Sequence, residues 1–195
     1  MEIHKMLKSI ILCICICSII SCNNKQKSDE IKSLKSLVNS TLWEKLILPE
    51  SLQTYIPFSK YIADSSVVLN SDYRIYSKLN ASCGTCISNI NEWENLIPEF
   101  SKYKVPVVLI CDSDDRFEMF KYLCETRQVK NFSYPFFLDK KKVFAKKNRF
   151  MEVNQNFETV LTDKNNNIIM MGNPIKSNEI KNLYLKEIRK RLGYE

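Results

Sequence analysis

The sequence predicts an α/β fold, a central mixed β-sheet flanked by helices and preceded by an N-terminal helical and extended segment. Three patterns carry the prediction. Residues 73–111 read as strand, helix, strand, the unit that makes a parallel pair in one sheet. The stretches 159–162 and 168–171 are apolar and flank Asp163-Lys164-Asn165-Asn166-Asn167, as in a hairpin. A capped amphipathic helix comes after them. With 195 residues, 45% hydrophobic and 26% charged, the chain suits one well-buried core.

Scarcity removes whole function classes. The one histidine, His4, lies in an N-terminal leader, so the remainder has no imidazole for a triad, a neutral-pH base or a Cys/His zinc site. Glycine occurs only at Gly84, Gly172 and Gly193, which rules out phosphate and dinucleotide loops of the glycine-rich kind.

That leader is an address. Lys5 and Lys8 precede an apolar run from Ile10 to Ile20, too short for an ordinary membrane span and laid out as a secretory signal. Ile19-Ile20-Ser21-Cys22 is similar to a bacterial lipobox, which implies cleavage after residue 21 and lipidation of Cys22. A plain signal peptide or an uncleaved anchor with an incidental Cys22 is the alternative. Cleavage at 21 leaves 174 of the 195 residues and, with Lys5, Lys8 and Glu2 gone, a net charge of +6 in place of +7. The division expected is 1–21 signal, 22–60 tether and N-terminal extension, and 61–195 the folded domain. The expected localisation is the cell envelope, with the chain lipid-anchored to the membrane through Cys22.

Element by element, Ser28 caps a helix whose apolar face is Ile31, Leu34, Leu37, Val38 and Leu42, with Asp29 and Glu30 in its first turn. Leu46–Leu48 and Leu52–Ile56, split by Pro49, suit an edge strand or arm. Val67–Leu69 reads as another short strand. Tyr73–Leu79 is a strand, Thr85–Ile97 a helix with Cys86, Ile90, Trp93 and Ile97 on one face and Pro98 at its end, and Val105–Cys111 a strand. Asp114 opens a helix that turns Phe117, Phe120 and Cys124 inward. Ser133–Leu138 is extended, Val143–Lys147 a helical turn, and Ser177 caps a last helix with Ile180, Leu183, Tyr184 and Ile188 on its apolar side.

Export leaves Cys83, Cys86, Cys111 and Cys124 where thiols can be held oxidised. Cys83-Gly84-Thr85-Cys86 falls between a strand and a helix. There the unpaired helix N–H groups and the macrodipole favour a thiolate at Cys83, below the free-thiol pKa of about 8.5, and Cys86 is placed to resolve a mixed disulfide. A structural disulfide and two of four zinc ligands are the other readings of the pair. Cys111 and Cys124 form no second short-spaced pair and read as packing thiols.

The order strand, CxxC, helix, strand, helix, hairpin, helix over Tyr73–Leu192 resembles the thioredoxin-like fold. With the lipobox, the chain resembles membrane-tethered TlpA-type thiol-disulfide oxidoreductases of the bacterial envelope. The stretch Phe157-Glu158-Thr159-Val160-Leu161-Thr162-Asp163 through Pro174 is similar to the family's hairpin, and Ser133–Phe150 to its central insertion. The resemblance implies Cys83 as nucleophile, Cys86 as resolving thiol and Ser82, Gly84, Thr85 and Phe157 as active-site neighbours. It implies protein thiols or disulfides of the envelope as partners, an unidentified electron donor, no cofactor and no metal. Three positions depart from the pattern. Phe157 stands where a cis-proline is usual, Ser77 where a buried acid is usual, and Ser82 where tryptophan often precedes the first cysteine. A non-catalytic thioredoxin-fold lipoprotein with a structural disulfide, serving as an accessory or binding module, is the alternative function. Asn80 in place of Thr or Ser three residues before Cys83 argues against peroxide chemistry, and the narrow cysteine spacing with no histidine against copper delivery.

Lys140, Lys141, Lys142, Lys146, Lys147 and Arg149 form the densest basic cluster, read as a solvated surface. The rings of Tyr134, Phe136, Phe137, Phe144 and Phe150 beside it read as core, so no nucleic-acid partner is expected. Met170 and Met171 read as strand residues of alternating burial.

Overall fold

In the computed structural model the described residues are 28–57, 65–129 and 132–194; Cys22 lies outside them, as do the side chains of Ser65, Val67 and Cys86. A helix over 28–41 (α1) comes first. The chain divides into two compact units between Ser40 and Thr41, and the sheet belongs to the second.

Six strands make one sheet: β1 (Gln53–Tyr55), β2 (Tyr73–Asn80), β3 (Val107–Asp112), β4 (Phe136–Leu138), β5 (Thr159–Asp163) and β6 (Ile168–Met171), in the order β1-β4-β3-β2-β5-β6. β2, β3 and β4 run parallel, while β1, β5 and β6 each run antiparallel to their neighbours. β3 is buried at all but its last residue and β2 at five of its eight, as strands covered on both faces are. This is the thioredoxin-like fold, its sheet extended at one edge by β4 and β1.

The extension also reaches the opposite edge. Trp43 and Leu46 donate N–H groups to the carbonyls of Ile168 and Asn166 at 2.7 and 2.8 Å, and Ile168 N–H donates to Glu44. Both sheet edges are thus covered by residues 43–55, which blunts their capacity to pair with another chain. Between the two edges the Asn148 side chain grips the Ile47 backbone, accepting its N–H and donating to its carbonyl, both at 2.9 Å.

The helices differ from expectation in four places. Ser65–Leu69 forms a short helix (α2) in place of a strand. β-branching favours a strand there, but the buried Arg74 guanidinium donates to the carbonyl of Leu69 and so satisfies a helix C-terminal acceptor. Helix α3 (Gly84–Ser101) runs through Pro98 for another three residues. Phe100 in that last turn is fully buried and packs edge-on against Tyr184 at 6.5 Å, so packing offsets the missing N–H. Helix α4 (Glu118–Glu125) starts four residues beyond Asp114, after Arg116 and Phe117 take left-handed φ of 57° and 69°. In the last helix (α7, Asn178–Leu192) Ser177 caps the Ile180 N–H as expected and Tyr184 and Ile188 are buried, but Leu183 is 50% exposed.

Other expectations are met. Ile90, Trp93 and Ile97 of α3 and Phe117, Phe120 and Cys124 around α4 are buried, as are Tyr134, Phe136, Phe137 and Phe144, with Phe150 half-buried. Val143–Lys147 is the short helix α5, its Phe144 N–H held by the Asp139 carboxylate at 2.6 Å. A further turn (α6, Phe150–Val153) and a 3-10 turn (Gln155–Phe157) lead into β5. Lys140, Lys141, Lys146, Lys147 and Arg149 are exposed, and Met171 is buried where Met170 is half-buried.

Candidate functional site

The parallel strands β2 and β3 end side by side, with Asn80 in register with Asp112. From there the chain turns sharply into α3. Asn80 accepts the Ser82 N–H on its side-chain oxygen at 2.9 Å and the Cys83 N–H on its carbonyl at 3.3 Å, while Ala81 N–H donates to the Asp112 carbonyl at 2.7 Å. Cys83 carbonyl then accepts the Ile87 N–H at 2.9 Å, the first bond of the helix. Cys83 therefore occupies the N-cap position, next to the first-turn N–H groups that have no intrahelical partner. It is half-buried, and Gly84 and Thr85 beside it are exposed. Open space lies where a side chain at Gly84 would stand. Cys86 is the third residue of α3, one turn in from the cap.

Ser82 is tied to the loop after β3. Its Oγ donates to Asp115 at 3.0 Å, accepts the Asp114 N–H at 2.8 Å and lies 3.1 Å from the Ser113 Oγ. Asp115 also receives the Ser113 hydroxyl and the N–H groups of Phe117 and Met119, at 3.1 and 2.9 Å for the latter two. The Ser113 hydroxyl first, then the Met119 N–H, push its pKa down to about 2.

Charges surround the strand ends. Lys78 Nζ lies 3.0 Å from Glu158 and 3.7 Å from Asp112, all three largely buried. Burial raises the Asp112 pKa, and Lys78 and Lys142 oppose it. A hydrogen bond from Lys142 lowers that of Asp114 and in turn raises that of Lys142.

Phe157 is buried at the end of the 3-10 turn, with no cis peptide bond among the described residues. Lys78 N–H donates to the carbonyl of the next residue, Glu158, at 2.8 Å, which fixes this loop on β2. Ser77 is buried with its hydroxyl 2.8 Å from that of Thr159, a neutral pair where a carboxylate is usual in the family resembled. Cys111 and Cys124 are buried thiols that are not joined to one another. Burial pushes both up, Cys124 to about 12, so neither is a thiolate near neutral pH.

Ser113 and Asp115 do not stand out in the sequence. A signal exists in Asp112-Ser113-Asp114-Asp115, a run suited to side-chain capping of its own backbone, but its link to Ser82 depends on strand register.

No protein-family model matches the chain, and no curated protein matches it. Among solved structures it is similar to Enterococcus faecalis AhpC, with 13% identity over 78% of this chain and 96% of that one and a TM-score of 0.52, which agrees with the thioredoxin-like fold. Similar structures also include the thioredoxin domain of a thiol-disulfide oxidoreductase from Bacteroides vulgatus, at 14% identity, 73% and 96% coverage and a TM-score of 0.45. Another is the exposed lipoprotein thioredoxin of Streptococcus pneumoniae, at 13% identity, 61% and 87% coverage and a TM-score of 0.44.

Proposed function

We propose that the chain is a thiol-disulfide oxidoreductase of the cell envelope, working through Cys83 and Cys86 and held at the membrane by a lipid on Cys22. In this reading residues 1–21 are removed, 22–60 lead from the anchor into the sheet, and 61–195 carry the reaction. The observation that supports it is the place of the CxxC pair, with Cys83 capping a helix at the end of a buried parallel strand and an open flank at Gly84.

The reaction balances on sulfur alone. Cys83 thiolate attacks one sulfur of a partner disulfide, forming a mixed disulfide and expelling the partner's other sulfur as thiolate. Cys86 thiolate then attacks the Cys83 sulfur, forming the Cys83–Cys86 disulfide and freeing the second partner thiol. The partner gains two electrons and the pair loses them; the reverse sequence oxidises a partner dithiol.

The test is a trap. Cys86→Ser removes the resolving step, so mixed disulfides are expected to accumulate on Cys83 in the envelope and to vanish on reduction. Cys83→Ser is expected to trap none. Absence of trapped partners in Cys86→Ser, with Cys83 alkylating no faster than an ordinary thiol, favours the non-catalytic module braced by a disulfide.

A further inference from the structure

We propose that Ser82 and Asp115 are positioning residues for Cys83, Asp115 acting through the Ser82 hydroxyl; this rests on the oxidoreductase reading and deepens it. Ser82 immediately precedes Cys83, and its Oγ is fixed from two directions, donating to Asp115 Oδ1 at 3.0 Å and accepting the Asp114 N–H at 2.8 Å. On its other side the same carboxylate is built into the entrance of α4, through the N–H groups of Phe117 and Met119. Ser113 braces the joint, donating to Asp115 and accepting the Phe117 N–H at 2.8 Å. One carboxylate thus bolts the entrance of α3 to the entrance of α4.

The backbone beyond Asp115 gives independent support. Arg116 and Phe117 both lie in the left-handed region, at φ 57° and 69°, which non-glycine residues rarely adopt. Two such residues in succession persist where surrounding bonds over-determine them, and the bonds here are those of Ser113 and Asp115. The loop is therefore a stiff bracket, and Ser82 is what it holds. Its charge is constant as well, since a pKa of about 2 keeps Asp115 ionised throughout the range in which thiols titrate. Held at Ser82, the Cys83 backbone stays in register with the first turn of α3, whose unpaired N–H groups favour a thiolate. Loosening the bracket weakens that stabilisation.

The experiment measures Cys83 alkylation by iodoacetamide against pH on the full reduced chain, with the modified site assigned by mass spectrometry. Ser82→Ala is expected to slow the reaction at pH 7 by about threefold or more and to move the midpoint up. Ser82→Thr keeps the hydroxyl and is expected to restore both. Lys78, Asp112, Asp114, Lys142 and Glu158, the charged groups at this sheet end, are the same in all variants. Asp115→Asn is expected to change the rate in the wild-type background and to add little on top of Ser82→Ala, because the two act through one bond. A Ser82→Ala profile that matches the wild type, or an Asp115→Asn effect of equal size in both backgrounds, overturns the positioning role. A wild-type midpoint at the ordinary thiol value of about 8.5 is a different failure: it removes the oxidoreductase reading and this inference with it.

Discussion

Cysteines of one chemistry have two different environments in the fold. Cys83 is half-buried at a helix cap, whereas Cys111 and Cys124 are closed in by the core, at 0% and 3% exposure. The latter two are expected to resist alkylation in the native protein at neutral pH and to react only on unfolding, because burial holds both as thiols. Their replacement by alanine is expected to cost about 1–3 kcal/mol each in urea unfolding and to leave disulfide exchange intact. Alkylation of either thiol at the rate of Cys83 contradicts the assignment. At this scale the sequence is partly legible. The CxxC spacing and the inward face of Phe117, Phe120 and Cys124 can be read from local pattern alone. Asp115 cannot, since its partner Ser82 is 33 positions away and meets it only through the β2–β3 register.

Elements show the same division between local and long-range causes. The hairpin, α5 and the Ser177 cap arise from turn residues and capping chemistry within a few positions. Val67–Leu69 has the local pattern of a strand and forms a helix because the residue that completes the helix end, Arg74, acts from the next strand. Pro98 has the local pattern of a helix end and is passed because the packing of Phe100 on Tyr184 is tertiary. The least legible element is the arm at residues 43–55, whose short apolar stretches give no sign that they serve both edges of one sheet. Asn148 is its central fixing point, 4% exposed and bonded to both polar groups of Ile47 and to the carbonyl of Phe144. Asn148→Ala removes both bonds to the Ile47 backbone and is expected to cost about 1–3 kcal/mol, read by denaturant unfolding. Protease cutting near residues 43–55 should increase in parallel. An unchanged midpoint would mean that the arm is held by its strand pairing alone.

On the scale of the whole molecule, the proposed lipid anchor at Cys22 precedes a domain of thioredoxin-like fold. No described helix is long and apolar enough to cross a membrane, and the attachment proposed is through Cys22. Each buried methylene of an acyl chain contributes about 0.8 kcal/mol, and two chains or more hold a protein stably. Cys22→Ser is therefore expected to abolish acyl labelling and to move the protein out of the membrane fraction; an unlabelled wild type that partitions like the variant contradicts the anchor. Redox work by the cysteine pair is the central claim, and the pair's reduction potential tests it most directly. Equilibration of the purified chain with glutathione or dithiothreitol buffers, followed by mass analysis of Cys83 and Cys86, gives the value. A potential between about −270 and −120 mV, the range of exchange-active pairs, is expected, and a value below about −300 mV, where structural disulfides lie, would contradict the claim.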